Sequence, residues 1–201
     1  MSNEACVDYL QGNLVVLEPM QLEHVAALSV AVSDGELWRL WYTKVPHPDE
    51  MKAFVEQALD SEQRGESLAF VVRDKFSGNI VGTTRILNWD QANRRLEIGH
   101  TWYAKSAQGT GINSETKLLL LGYAFEVLDV MAVEFRTHWH NQRSREAISR
   151  LGAKQDGVLR NHRILKDGTI RDTVVYSIID AEWPTVKQNL VHRMRQFEQP
   201  R

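Results

Sequence analysis

Apolar residues recur at helical spacing over Leu22, Val25, Leu28 and Val32, and again over Met51, Phe54, Val55, Ala58 and Leu59. Each set falls on one face of a 3.6-residue turn and predicts a helix with one buried side. Pro48 opens the second helix, because its fixed φ suits a first turn, and Asp49 and Glu50 complement the positive end of the helix dipole. The period then changes to two. Leu68, Phe70 and Val72 alternate, Ser77-Gly78-Asn79 forms a turn, and 80–87 continues with β-branched residues, which fit a pleated surface. A third strand is predicted over 94–102. Strict alternation puts Leu96, Ile98, His100 and Trp102 on one face and Arg95, Glu97, Gly99 and Thr101 on the other.

A glycine-containing loop at 106–113 precedes a helix over 114–128. Four consecutive leucines, Leu118 to Leu121, make that helix apolar on more than one face, so it is expected to lie between the sheet and another layer. Residues 132–139 alternate as a strand, and Ser144, Ala147, Ile148 and Leu151 suit a short helix ending at Gly152. Strands at 158–165 and 170–179 are joined by Lys166-Asp167-Gly168-Thr169, a hairpin signal. Trp183, Val186, Leu190, Met194 and Phe197 mark a closing helix, with Asp180 as cap and Pro184 in the first turn. Two helices, an antiparallel meander, a helix, a strand, a helix and a hairpin amount to an α+β, mixed-sheet domain rather than a regular βα alternation.

Composition narrows the picture. A chain of 201 residues is the size of one ordinary domain, large enough to fold without disulfides or a structural metal. Lys+Arg at 24 against Asp+Glu at 26 argues against nucleic-acid binding by bulk electrostatics, though not against a local basic patch. The single Cys6 fits a reducing, cytoplasmic setting, and no apolar run or leader pattern points to a membrane or secretion. The organisation expected is a tail at 1–12, a domain at 13–183 and a terminal helix at 184–201.

Gln108, Gly109, Thr110, Gly111, Ile112 and Asn113 sit between a strand and a long helix. Two glycines let backbone amides turn inward, and the helix start adds its positive dipole end, which together suit a phosphate; a plain loop with Asn113 or Ser114 as cap explains the same text. No Lys-Ser/Thr pair follows Gly111, and the third glycine of a dinucleotide fingerprint is missing, which disfavours a nicotinamide-type enzyme. Glu97 in mid-strand reads either as a general base whose pKa is raised by partial burial or as a partner for Arg95 or Arg85. Asn141 and Ser144 could bind an amide-containing ligand and donate a hydrogen bond, or could cap the helix 143–151. His138 and His140 share a face but lack a visible third ligand, so no metal is expected. Trp38, Trp41 and Tyr42 wall a pocket or fill the core.

In this order and spacing the pieces resemble the GNAT N-acetyltransferases, over about residues 14–183 and most specifically 95–152. The family's Gln/Arg-x-x-Gly-x-Gly/Ala text reads Gln108-x-x-Gly111-x-Asn113. The Gly-x-Asn variant, Leu96-Glu97-Ile98-Gly99, Asn141-x-x-Ser144 before Leu151-Gly152-Ala153, 157–162 and 171–177 resemble the branch of ribosomal-protein N-terminal acetyltransferases. The resemblance implies a mostly antiparallel twisted sheet of about seven strands, with a splayed cleft for acetyl-CoA and flanking helices. It implies that amides at 108–113 hold the pyrophosphate, that main chain at Trp102 and Tyr103 pairs with the pantetheine arm, and that Asn141 anchors that arm near the sulfur. Many relatives carry a tyrosine acid where this chain has Ile148. Ser144 is then the expected partner of the departing thiolate, and Glu97 the expected base, directly or through a water.

The implied activity is direct acetyl transfer to a primary amine, of a protein or peptide N-terminus or of an amino-acid-like or antibiotic-like molecule. The alternative is a catalytically weak CoA-binding regulatory module. A homodimer is consistent with this branch, with no nucleic-acid or membrane partner.

Overall fold

A computed structural model describes residues 9–165 and 167–197. Cys6 and Lys166 lie outside the described residues. The strands are β1 (Leu10–Gln11), β2 (Val15–Pro19), β3 (Ser67–Asp74), β4 (Ile80–Asp90), β5 (Arg95–Tyr103), β6 (Ala132–His138), β7 (Lys154–Ile164) and β8 (Ile170–Ile179). The helices are α1 (Val25–Ser33), α2 (Met51–Gln63), α3 (Ile112–Gly122), α4 (Gln142–Leu151) and α5 (Trp183–Met194). The sheet has eight strands in the order β1-β2-β3-β4-β5-β6-β8-β7. All neighbours are antiparallel except β5 and β6, which run parallel because α3 carries the chain back between them. None of the described helices is long and apolar enough to cross a membrane.

These eight strands among the described residues fit the expected sheet of about seven. β2 escaped the sequence reading because only five residues, two of them fully buried, carry it; its partner β3 supplies the context. The hairpin strand starts at Lys154 rather than near 158. Its sequence is mostly polar because β7 is an edge strand whose residues face solvent.

Helices cover both faces. On β4, Arg85 reaches the Phe54 carbonyl of α2, whereas its neighbour Thr84 accepts from Lys117 of α3. Adjacent strand residues point to opposite faces, so α2 and α3 lie on opposite sides of the sheet. The expectation that the leucine-rich helix is covered holds: Leu120 and Leu121 are fully buried, and α5 packs over α3. Phe125 stacks on Trp183 at 5.4 Å, and Trp183 Nε1 donates to Glu126. α3 begins two residues before the expected start and widens into a π-turn at Tyr123–Val127, where the Leu128 amide bonds to the Tyr123 carbonyl. Glu115, 4% exposed, accepts from the amides of Asn13, Leu14 and Val15 and so ties α3 to β2.

Candidate functional site

The site grows out of an interrupted sheet. β5 and β6 pair only over Arg95–Glu97 and Ala132–Glu134, after which the two strands part. The β5 edge from Ile98 onward therefore has no β6 partner, and its backbone groups line a V-shaped cleft in which an extended chain can find hydrogen bonds. This is the splay implied by the resemblance.

A bulge shapes the cleft. Arg85 pairs with Gly99 but Thr83 pairs with Trp102, leaving one extra residue on β5; His100 absorbs it at φ +49. The extra residue reverses the alternation. Glu97 and Gly99 share the α2 face, but Thr101 turns to the α3 side, where it accepts from Lys117 at 2.7 Å. The single face expected for Glu97, Gly99 and Thr101 is corrected accordingly, since period-two counting cannot see an inserted residue.

Lys117 has two threonine hydroxyls, Thr84 and Thr101, and is 5% exposed; burial pushes its pKa down to about 7. An unfolded lysine titrates near 10.4. Between those values the unfolded chain binds more protons, so unfolding free energy is expected to rise with pH from about 7 towards 10, by up to about 1.4 kcal/mol per pH unit. Chemical denaturation at several pH values checks this, and Lys117→Met should remove the slope.

Glu97 stands at the vertex where β5 and β6 part. It is 8% exposed, and burial raises its pKa against the opposing pull of Arg136 and of the Asn88 amide. Asn88 Nδ2 donates to Oε2 at 2.9 Å, and Arg136 Nε lies 3.6 Å from the same oxygen. The second oxygen, Oε1, is directed along the strand towards Gly99, where a Cβ would sit 3.1 Å from it. The two partners weighed from sequence are otherwise employed: Arg95 pairs with Glu134, and Arg85 turns to Phe54. Asn88 and Arg136 were not singled out, although an alternating Glu134-x-Arg136 on the neighbouring strand was a usable signal.

Beyond Tyr103 the chain makes a short turn over Lys105–Ala107 and enters the glycine loop. Gly109 and Gly111 have φ +80 and +92, a region that glycine occupies without penalty. Gly111, not Asn113 or Ser114, caps α3, and the first intrahelical bond runs from the Glu115 amide to the Gly111 carbonyl. The amides of Ile112, Asn113 and Ser114 thus have no intrahelical acceptor and present the positive helix end to a ligand. The Gln108 side chain donates to the Tyr103 carbonyl at 2.9 Å and braces the loop against β5, while Thr110 braces it on Ala107. A Cβ at Gly109 would meet open space. At Gly111 it would press on Phe197 at 2.8 Å and Leu14 at 3.1 Å, so that glycine is required by packing behind the loop.

The far wall is the start of α4. Asn141 Oδ1 accepts from the Ser144 amide at 3.1 Å, so Asn141 is the cap of this helix. The Ser144 hydroxyl has no protein partner among the described residues, and no hydrogen bond joins it to Glu97. Asn141→Ala is therefore expected to lower stability by about 1 kcal/mol, while Ser144→Ala leaves stability within about 0.5 kcal/mol. Thermal melts of the two variants check this.

The aromatic cluster stands at the same end. Trp41 sits edge-on to His138 at 5.1 Å and tilts against His140 at 5.6 Å, so both histidines pack on an indole. No group of three His, Cys, Asp or Glu side chains suited to a metal occurs among the described residues. Trp102 and Tyr103 are buried, and burial raises the Tyr103 phenol, which makes it a poor base; what they offer the cleft is main chain.

Residues 15–154 match the family described as Acetyltransferase (GNAT) domain. A Bacillus subtilis protein, YdaF, provisionally named a ribosomal N-acetyltransferase, is 28% identical over 170 residues, covering 84% of this chain and 91% of that one. The crystal structure of a GCN5-related N-acetyltransferase from Brucella melitensis superposes with a TM-score of 0.82 at 30% identity, over 92% of this chain and 84% of that one. Mycobacterium smegmatis RimJ in complex with CoA-disulfide shares the fold, with a TM-score of 0.76 at 23% identity over 90% of each chain.

Proposed function

Because the chain belongs to the GNAT acetyltransferases and is thus an acetyl-CoA-dependent acetyltransferase, we propose that it transfers the acetyl group directly to a primary amine, with the free α-amine of a peptide or protein as the favoured acceptor. The observation that carries this reading is the buried Glu97 at the vertex of the β5–β6 cleft, its pKa raised towards the range in which a base works. The names of YdaF and RimJ support the choice of an α-amine.

Acetyl-CoA supplies an activated acetyl thioester. The amides at the start of α3, with Gly109 and Gly111, hold its pyrophosphate, and the open β5 edge around Trp102 and Tyr103 pairs with its pantetheine arm. Asn141 offers its Nδ2 to that arm, since Oδ1 is occupied by the cap. Glu97 takes the proton that the amine loses as its nitrogen bonds to the acetyl carbon. The carbon–sulfur bond breaks, and Ser144 donates to the sulfur as negative charge develops there. Backbone amides of the β5 edge stabilise the carbonyl oxygen. Direct transfer is favoured because no Cys or Ser beside a base is found among these residues.

The test is thiol release from acetyl-CoA in the presence of peptides with free or blocked α-amines, lysine side-chain amines, polyamines and amine-bearing antibiotics. Free α-amines should stimulate release, and blocked ones should not. Tight CoA binding with no release on any amine would instead favour the non-catalytic binding module, for which Ile148 in α4 is the supporting observation.

A further inference from the structure

A pocket of about 370 Å³ opens on the α2 side of the sheet beside Glu97. Its floor carries Ser67 and Arg85, with Leu87 and His100 beside them, and Asp60 of α2 and Arg64 just past its end stand at the rim. Ser67 and Arg85 are 8% and 7% exposed, and neither the Ser67 hydroxyl nor Arg85 Nε has a hydrogen-bond partner among the described residues. Burial without a partner is costly for either group, and most of all for a guanidinium.

Arg85 has no carboxylate against it among the described residues. Its Nη2 reaches the Phe54 carbonyl at 3.4 Å, and its guanidinium lies 4.6 Å over the Phe54 ring. That holds the group in place against the pocket wall, with Nε enclosed and without a hydrogen-bond partner among the described residues. Burial lowers its pKa to about 10, so it stays charged at neutral pH. The surroundings add no compensation. Lys44, Arg163 and Arg171 join Arg85 in acting on His100. Asp60 stands exposed at the rim, where Arg64 is already paired with Glu66 at 2.8 Å.

We infer that this pocket is an anion subsite of the acceptor, in which Arg85 and Ser67 bind a carboxylate or phosphate carried by the molecule whose amine is acetylated. The inference rests on the amine-transfer reading above. Arg85 pairs with Gly99, and Leu87 with Glu97, so Arg85 and Glu97 share one face at a diagonal step. That step is roughly 7 Å between backbones. Leu87 and the Glu97 carboxyl both lie just over 3 Å from the position of a Cβ on Gly99, so base and pocket adjoin. An acceptor that fits both carries its anion one residue or so from its amine. An uncharged or polycationic amine does not use the pocket.

Titration of the full chain with inorganic phosphate, with CoA present to fill the loop at α3, tests the subsite without relying on turnover. Saturable binding that weakens tenfold or more in Arg85→Met, and partly in Ser67→Ala, is expected. No binding to the wild type, or equal binding to a folded Arg85→Met, overturns the inference; Arg85→Lys, which keeps the charge, serves if the methionine variant does not fold. In turnover, peptides alike but for Gln, Glu or phosphoserine at the second position should differ by tenfold or more in kcat/KM, and the ratio should collapse towards one in Arg85→Met. The better of the two anionic peptides identifies carboxylate or phosphate as the source. Equal rates for all three overturn the acceptor role, whereas no acetylation of any amine alongside Arg85-dependent phosphate binding would fault the transferase reading and leave the anion subsite standing.

Discussion

Glu97→Gln is expected to lower turnover by roughly 10²-fold or more at neutral pH. The amide keeps the shape of the side chain and its bond from Asn88 can be remade by the carbonyl oxygen, but the proton acceptor is gone. The pH profile carries the sharper evidence. Burial raises the Glu97 pKa, so the carboxylate that accepts the proton exists above a pKa higher than the ordinary value near 4.3. In the wild type, kcat/KM should therefore fall as pH drops through that raised value. In Glu97→Gln that limb should vanish, leaving a rate that climbs with pH as free amine forms in solution. A raised Michaelis constant for the acceptor with saturated turnover unchanged would show instead that Glu97 only attracts the cationic amine. No change in either would leave it as a structural partner of Arg136.

Glu115→Ala should be the most damaging of the substitutions outside the cleft, costing about 3 kcal/mol or more. Its two oxygens accept from three consecutive amides, Asn13, Leu14 and Val15, at 2.6–2.8 Å, and a Cβ on Gly12 would collide with the carboxyl. Charge-assisted bonds are the strong class, and deletion strands donors that β1 and β2 cannot repair. The same residue sits in the first turn of α3, so its loss frees the helix that follows the glycine loop from β2. Denaturant titration should show the midpoint falling sharply. Glu115→Gln should recover part of the loss, because one side-chain oxygen still accepts. A shift under about 1 kcal/mol for the alanine variant would mean that water replaces the carboxylate, and the tie between α3 and β2 would be of little account.

Legibility in the sequence followed the range of the forces involved. The helical periodicities of α2, α4 and α5, the alternation of β3 and β6, the β-branched run of β4 and the hairpin signal before β8 are local, and each was readable. So was the glycine pair at 109 and 111, where only a positive φ lets the chain turn into α3. The short β2 and the first residues of the edge strand β7 were not, because their pairing with β3 and β8 comes from distant residues. The bulge at His100 defeated the face assignment of Thr101, since one inserted residue inverts all that follows. Lys117 could have been noticed as a charge on an apolar helix, yet its partners Thr84 and Thr101 come from two other strands.

The chain by itself determined the mixed-sheet class, the glycine loop that leads into a helix and the acid in mid-strand, because periodicity, glycine and an out-of-place charge are all local statements. Only the tertiary structure decided that Glu97 answers to Arg136 and Asn88 rather than to Arg95 or Arg85, and that Gly111 is held by Phe197 and Leu14. It alone left Arg85 buried without an acid among the described residues. The physical reason is common to all three. Burial and pairing of a charge depend on which distant segments fold against it, and desolvation, which moves a pKa and makes an unpaired cation costly, has no counterpart in the order of residues along the chain.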